Sequence, residues 1–296
     1  MQLIKDAVFG GERPLYATRD LRLENVVIEP GESALKETAG IEASNCEFKG
    51  KYPFWCTDGF KIENCIFREG ARAALWYSRK LKMSDTLVEA PKMFREMDGA
   101  ILRRVRITDA KETFWECRNF DLDEVELAGG DYLFMHSHDI RISNYKHQGN
   151  YSFQYCKNVE ICDADIDSKD AFWNTDNVTV RDSSLNGEYL GWYSKNLTLI
   201  NCKISGTQPL CYAENLILEN CIFAPDADLA FEYSTVNAGI LSPVTSVKNP
   251  SDGQIIASSF GEIIIDGNIK SPAACKIMTW DKLSDDIGSE DPFTEA

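Results

Sequence analysis

Apolar and polar residues alternate along this chain in short bursts that return roughly every 19 to 20 residues. Each burst reads apolar, x, apolar, x, then usually Asn or Asp. "LRLEN" opens at Leu21, "IEASN" at Ile41, "FKIEN" at Phe60, "LKMSD" at Leu81, "AILRR" at Ala100 and "FDLDE" at Phe120. "IRISN" at Ile140, "VEICD" at Val159, "VTVRD" at Val178, "LTLIN" at Leu197 and "LILEN" at Leu216 continue the series. Let the first apolar residue of each copy be position zero. Positions zero and two are apolar, while one and three carry charges such as Arg22, Glu42, Lys61, Glu24 and Arg103. That period of two predicts a short strand with one face buried. Position four holds Asn25, Asn45, Asn64, Asp85, Asn144, Asp163 and their equivalents, residues that tolerate a sharp bend. Positions five and seven are again small or apolar, and glycines such as Gly50, Gly129 and Gly187 recur near position nine, as a turn requires.

Short strands joined by bends at fixed offsets describe one coil of a solenoid. A single coil cannot bury its apolar face, but stacked coils share a continuous core. Coils would then lie about 4.8 Å apart, and each position becomes a ladder of side chains along the axis. Strict six-residue sub-repeats, a second leucine-rich block and units of about 40 residues are all missing, which argues against hexapeptide helices, leucine-rich repeats and propellers. The pattern predicts an all-β chain, a single-stranded right-handed parallel β-helix of about eleven or twelve coils. We expect this helix over residues 1–245, and closing strands, a cap and an acidic tail of the same domain over 246–296.

Six places before position zero runs a second apolar ladder, with Phe54, Phe94, Phe114, Phe134, Phe153 and Phe172. Three places before, small residues such as Thr57, Ser78, Cys117, Ser137 and Ser194 suit an inward seat. Between these lie two columns unlike a core. Five places before are Trp55, Trp76, Arg95, Trp115, Trp173 and Trp192. Four places before are Tyr77, Glu96, Glu116, His136, Tyr155, Asn174, Tyr193 and Tyr212. Lys36, Arg95, Glu96 and Glu116 would be costly to bury unpaired, so both columns are expected at the surface with the backbone bending between them.

The stripe has two readings. It is a binding face, with Trp76, Trp115, Trp173, Trp192, Tyr155 and Tyr193 stacking on sugar faces while Arg95 and Asn174 bond hydroxyls. Or the indoles brace the corner of the stack. Glu96, Glu116 and His136 on consecutive coils are the candidate catalytic residues. Two carboxylates about 5 Å apart match retaining glycoside hydrolysis and would split into an acid and a base. The plainer account is a solvated ladder balanced by basic neighbours. His136 and His138 form an H-x-H that, with Glu116, could hold a divalent ion, but this is a common pattern, and no metal or cofactor is expected. His147 falls in an apolar column and reads as core.

Composition narrows the partners. The formal charge is −16, which repels nucleic acid and anionic membrane surfaces. No run is apolar enough for a signal peptide or a membrane span, so a cytoplasmic protein is expected. The ten cysteines then read as reduced thiols; Cys46 with Cys65, and Cys202 with Cys221, sit one coil apart as small core residues. An oligosaccharide and a second copy of the chain are the partners the stripe admits.

The repeat resembles the pectin-lyase-like group of β-helix proteins, which largely act on polysaccharides. "NTDN" at Asn174–Asn177 is similar to one polygalacturonase motif, but its companion motifs are missing and no catalysis is carried over. "GERPLY", "KYPFW", "KDAFWN", "GEYLGWYS", "GTQPLCY" and "FEYS" resemble blocks of the bacterial domain of unknown function family 3737, across about residues 5–270. That resemblance implies a parallel β-helix and no established activity. The expectation is a carbohydrate-active hydrolase or lyase, or else a non-catalytic sugar-binding, scaffold or self-associating protein.

Overall fold

The computed structural model describes residues 1–268 and 274–282. Its main ladder consists of parallel strands, each paired with the equivalent strand of the coil before and after. The ladder starts at Gln2–Lys5 and Arg19–Glu24 and runs through Arg79–Val88, Asp98–Ile107, Arg118–Leu127, His138–Gln148 and Lys157–Asp167 to Asp252–Ala257 and Cys275–Thr279. The result is a parallel β-solenoid of about 14 turns. The sequence pattern counted fewer because the outermost rungs lack part of the signature that marks a copy: Thr235–Ile240, Asp252–Ala257 and Cys275–Thr279 have no Asn or Asp bend, and Gln2–Lys5, which keeps the bend at Asp6, has Gln2 where the apolar position zero should be. The acidic tail expected at the end of the chain lies outside the described residues from 283 onward.

Register is kept coil by coil. Phe60 pairs with Leu81, Leu81 with Ala100, Ala100 with Phe120, Phe120 with Ile140 and Ile140 with Val159. Equivalent positions therefore stand over one another, as parallel hydrogen bonding demands. At position four, Asn25, Asn45, Asn64, Asp85, Arg104, Glu124, Asn144, Asp163, Asp182, Asn201 and Asn220 all have φ between 48° and 55°. The left-handed bend costs a non-glycine residue roughly 1 kcal/mol. Asn and Asp lower that cost, and the stack imposes the bend on Arg104 and Glu124 as well.

The Phe ladder is the spine of the core. Phe94, Phe114, Phe134, Phe153 and Phe172 are fully buried. Successive ring centroids lie 4.6, 4.5, 5.0 and 5.5 Å apart with interplanar angles of 17°, 8°, 14° and 10°. Below each corner the small inward residue ties coils together. Ser137 Oγ donates to the Phe114 carbonyl at 2.6 Å and accepts from the Cys117 amide at 2.8 Å. Ser78 repeats this, donating to the Phe54 carbonyl at 2.6 Å and accepting from the Thr57 amide at 2.9 Å. The corner's backbone groups are thus satisfied where no water reaches. All ten cysteines are free thiols, and Cys46, Cys65, Cys202 and Cys221 are buried.

Two of the buried titratable groups, His147 and Asp170, are shifted into the mildly acidic range. His147 is 3% exposed; its Nε2 lies 2.7 Å from Ser152 Oγ and its Nδ1 has no side-chain partner among the described residues. Burial pushes its pKa down to about 4. Asp170 is 2% exposed with one carboxylate oxygen unpartnered, and burial pushes it up to about 6.

Phe114→Ala should cost about 3–5 kcal/mol, read as a fall in the denaturant midpoint, because stacked coils leave no slack to close the cavity. Acid titration should reveal opposed contributions. As pH falls from about 6.5 to 4, the unfolded chain protonates His147 before the native state does, and stability drops. Over nearly the same window native Asp170 protonates first, and stability rises. Each is worth about 3 kcal/mol. Urea melts at pH 6.5 and 4.5 should show His147→Leu gaining stability on acidification and Asp170→Asn losing it, relative to the parent.

Candidate functional site

The corner four places before position zero is built by one backbone conformation repeated. Tyr77, Glu96, Glu116, His136, Tyr155, Asn174 and Tyr193 all have φ between 49° and 60°. This left-handed residue breaks strand alternation, so two neighbouring side chains turn outward together. The residue before it lies half-buried on the flank: Trp76, Arg95, Trp115, Trp173 and Trp192. The left-handed residue itself is exposed at Glu96, Glu116, His136, Tyr155 and Tyr193, and half-buried at Asn174. The next residue turns in, and the one after turns out again. A trough therefore forms between two outward rows.

Its walls are Glu96, Glu116 and His136 on one side and Asp98, Arg118 and His138 on the other, enclosing an open space of about 570 Å³. Adjacent members are one coil apart: the Glu96 amide donates to the Trp115 carbonyl at 2.9 Å and the Glu116 amide to the Met135 carbonyl at 2.8 Å. Glu96, Glu116 and His136 thus stand together, as their spacing predicts. The His136 ring stacks on Tyr155, centroids 4.8 Å apart at 8°. Trp173, Asn174, Trp192 and Tyr193 lie further along the axis, and Trp76 and Arg95 lie on the flank toward the other end.

The electrostatics divide the two rows. Arg118 Nη2 donates to Asp98 Oδ2 at 2.9 Å, and Asn119 donates to the other oxygen at 2.7 Å. These donors hold the Asp98 carboxyl below the usual carboxylate range. By contrast, Glu96 and Glu116 make no side-chain hydrogen bond or ion pair among the described residues. Elsewhere opposite charges alternate along the axis, as in Arg22–Glu42, Arg68–Glu47, Arg104–Asp85 and Lys169–Glu188. Two like charges on facing rungs are unfavourable. Cys117, fully buried beneath the trough, has its thiol pushed up to about 12 by burial and is no nucleophile. Among the described residues no group of three or more His, Cys, Asp or Glu is arranged to hold a metal ion.

The tryptophans are engaged with each other. Trp55 and Trp76 stack with centroids 5.6 Å apart at 10°, and Trp173 and Trp192 at 5.4 Å and 20°. The Arg95 guanidinium fills the step between Trp76 and Trp115, 4.3 and 4.5 Å from their centroids. The indole N–H groups of Trp55 and Trp76 donate to the Ala73 and Lys92 carbonyls of the next coil at 2.6 and 2.7 Å. Ring faces and polar edges of this column are largely spent inside the stack. Tyr155 and Tyr193 also pack against neighbouring rings but are 40% and 44% exposed, so their outer edges and hydroxyls reach solvent.

The sequence places His138 only in an H-x-H with His136 and assigns no role to Asp98, Arg118 or the ladder behind them. His138 Nδ1 lies 2.7 Å from Asp139 Oδ2. Asn158 donates to Asp139 Oδ1 at 2.9 Å, and Asn177 donates to Asn158 Oδ1 at 2.9 Å. Asn158, then His138, hold the Asp139 carboxyl below its ordinary range. Asp139, Asn158 and Asn177 share φ of 57°, 54° and 59°, so their side chains leave the backbone alike. The available signal was the Asn/Asp enrichment one place before position zero, at Asn119, Asp139, Asn158, Asn177, Asn196 and Asn215.

A family model described as protein of unknown function (DUF3737) matches residues 2–278. No curated protein matches the chain. Among solved structures, a periplasmic alginate epimerase, AlgG, aligns at 10% identity and a TM-score of 0.37, covering 94% of this chain and 75% of that one. The Dettilon tailspike protein aligns at 10% and 0.33, covering 94% and 62%. The catalytic domain of a GH87 α-1,3-glucanase aligns at 12% and 0.31, covering 86% and 63%. Likeness at this level says nothing about activity. No helix among the described residues is long and apolar enough to cross a membrane.

Replacing Arg95 tests the structural share of the stripe. Arg95→Ala removes two cation–π contacts and the packing of its stem, and should cost about 2 kcal/mol in thermal unfolding, with a red shift of tryptophan emission.

Proposed function

The chain belongs to the DUF3737 family of proteins of unknown function, and on that premise we propose that it is a carbohydrate-active protein. It acts on an oligosaccharide, as hydrolase or lyase, in the trough of Glu96, Glu116 and His136. The observation that carries this reading is the unrelieved stacking of Glu96 on Glu116. Arg22–Glu42, Arg104–Asp85 and Lys169–Glu188 show the repeat pairing opposite charges across coils, yet here two carboxylates line one trough, face solvent one coil apart and have no partner among the described residues. Coils spaced about 4.8 Å apart place the pair near the 5–5.5 Å of double-displacement glycosidases. One carboxyl would protonate the leaving oxygen and the other attack the anomeric carbon. His136, fixed by its stack on Tyr155, would bond a sugar hydroxyl. The exposed edges and hydroxyls of Tyr155 and Tyr193 would contact the sugar, a role the more enclosed Trp76, Trp115, Trp173 and Trp192 serve less well. Arg95 and Asn174 then act from the flank.

A second reading keeps the face and drops the chemistry: a sugar-binding or scaffold protein whose tryptophan column stabilises the stack. The indole N–H bonds to neighbouring coils favour that part of it.

Glu116→Gln separates the two. On a panel of neutral, amino-sugar and uronate oligosaccharides, the hydrolase or lyase reading expects turnover by the parent, a loss of about 10²-fold or more in the variant, and retained binding by calorimetry. Binding without turnover by the parent on every glycan would favour the second reading.

A further inference from the structure

The trough contains one histidine whose proton is placed by its neighbours, and it is His138 rather than His136. Asp139 is ionised and a carboxylate only accepts hydrogen bonds, so the 2.7 Å contact requires the proton on His138 Nδ1. The ring's lone pair is then on Nε2, which makes no hydrogen bond among the described residues, on a side chain that lines the trough. Asp139 is itself held: Asn158 occupies its second oxygen at 2.9 Å and Asn177 holds Asn158 at 2.9 Å. Three left-handed residues on successive coils repeat the same side-chain direction, so this relay is rigid where a lone surface pair would drift. His136 has a stacked ring but no partner that selects its tautomer.

We propose that His138 is the proton acceptor of the trough, with Asp139, Asn158 and Asn177 as the positioning residues that keep its lone pair on Nε2 and its ring oriented. The proposal rests on the glycosidase reading and assigns a step to it. After a carboxylate of the pair has formed an ester with the anomeric carbon, a water O–H bond breaks toward His138 Nε2. The water oxygen bonds the anomeric carbon, the ester C–O bond breaks, and the carboxylate is released. The imidazolium keeps Nδ1–H against Asp139 and returns its other proton, through solvent, to the carboxylate that had protonated the leaving group.

The three histidines of the chain make a test that needs no substrate. Diethyl pyrocarbonate acylates the unprotonated imidazole nitrogen, and tandem mass spectrometry gives a rate for each histidine. We expect His138 to react several-fold faster than His136, with buried His147 unreactive. With acylation followed at about pH 8.5, above the imidazole range so that protonation does not compete, Asp139→Asn, which keeps a residue that tolerates the bend, should slow His138 by about fivefold, the upper range for an exposed pair. On any glycan the parent turns over, His138→Gln should retain the first-turnover burst and lose the steady-state rate, while His136→Gln weakens binding. Equal acylation of His136 and His138, no effect of Asp139→Asn, or full steady-state turnover by His138→Gln would overturn the assignment. If no glycan is turned over, the glycosidase reading fails separately and the acylation rates still decide whether His138 is the poised base.

Discussion

Backbone hydrogen bonding between parallel strands of successive coils is the constraint on which everything else rests. It sets the distance from one coil to the next at about 4.8 Å and forbids slippage, because a one-residue slip would turn Leu81, Ala100, Phe120 and Ile140 out of the core. Under that constraint any residue type repeated in the sequence becomes a column in space. The buried Phe column, the hydroxyls under each corner and the Asn/Asp ladders are consequences of one register.

The same constraint explains why the surface is chemically ordered. A solenoid surface places each side chain beside its equivalents above and below, so unlike charges on neighbouring coils stabilise and like charges do not. The alternation of Arg and acidic residues along the axis satisfies this rule. Glu12 beside Glu32 and Lys61 beside Lys82 break it too, but there Arg13, Lys51 and Glu63 supply the opposite charge; Glu96 over Glu116 breaks it in a trough whose opposite wall carries Arg118 already bound to Asp98. A like-charge pair left without a hydrogen-bond or ion-pair partner among the described residues, in a trough, is a local conflict of the kind where function is expected to lie.

The tryptophan stripe shows how a sequence pattern can be located and still leave its purpose open. Spacing alone put Trp76, Trp115, Trp173 and Trp192 on one line, and the structure has them on one flank. Spacing says nothing about which way a ring lies. Arg95, read first as a polar contact on a binding face, is the filler between two indoles. His138, which the sequence offers only as half of an H-x-H, shows the converse. Its importance comes from Asp139, Asn158 and Asn177, which look like ordinary bend residues until a shared left-handed backbone aligns them.

The strands, their parallel stacking, the Phe spine and the outward columns were determined by the sequence itself, because period and register are properties of position and polarity. The number of coils and the corner at Glu96, Glu116 and His136 were decided by the tertiary structure. Stacking forces left-handed backbone onto residues with no preference for it, and imposes the same conformation on rungs that lack the repeat's signature. Which donors find which acceptors also depended on the stack, since a hydrogen bond between residues 19 apart exists only when two coils close on each other.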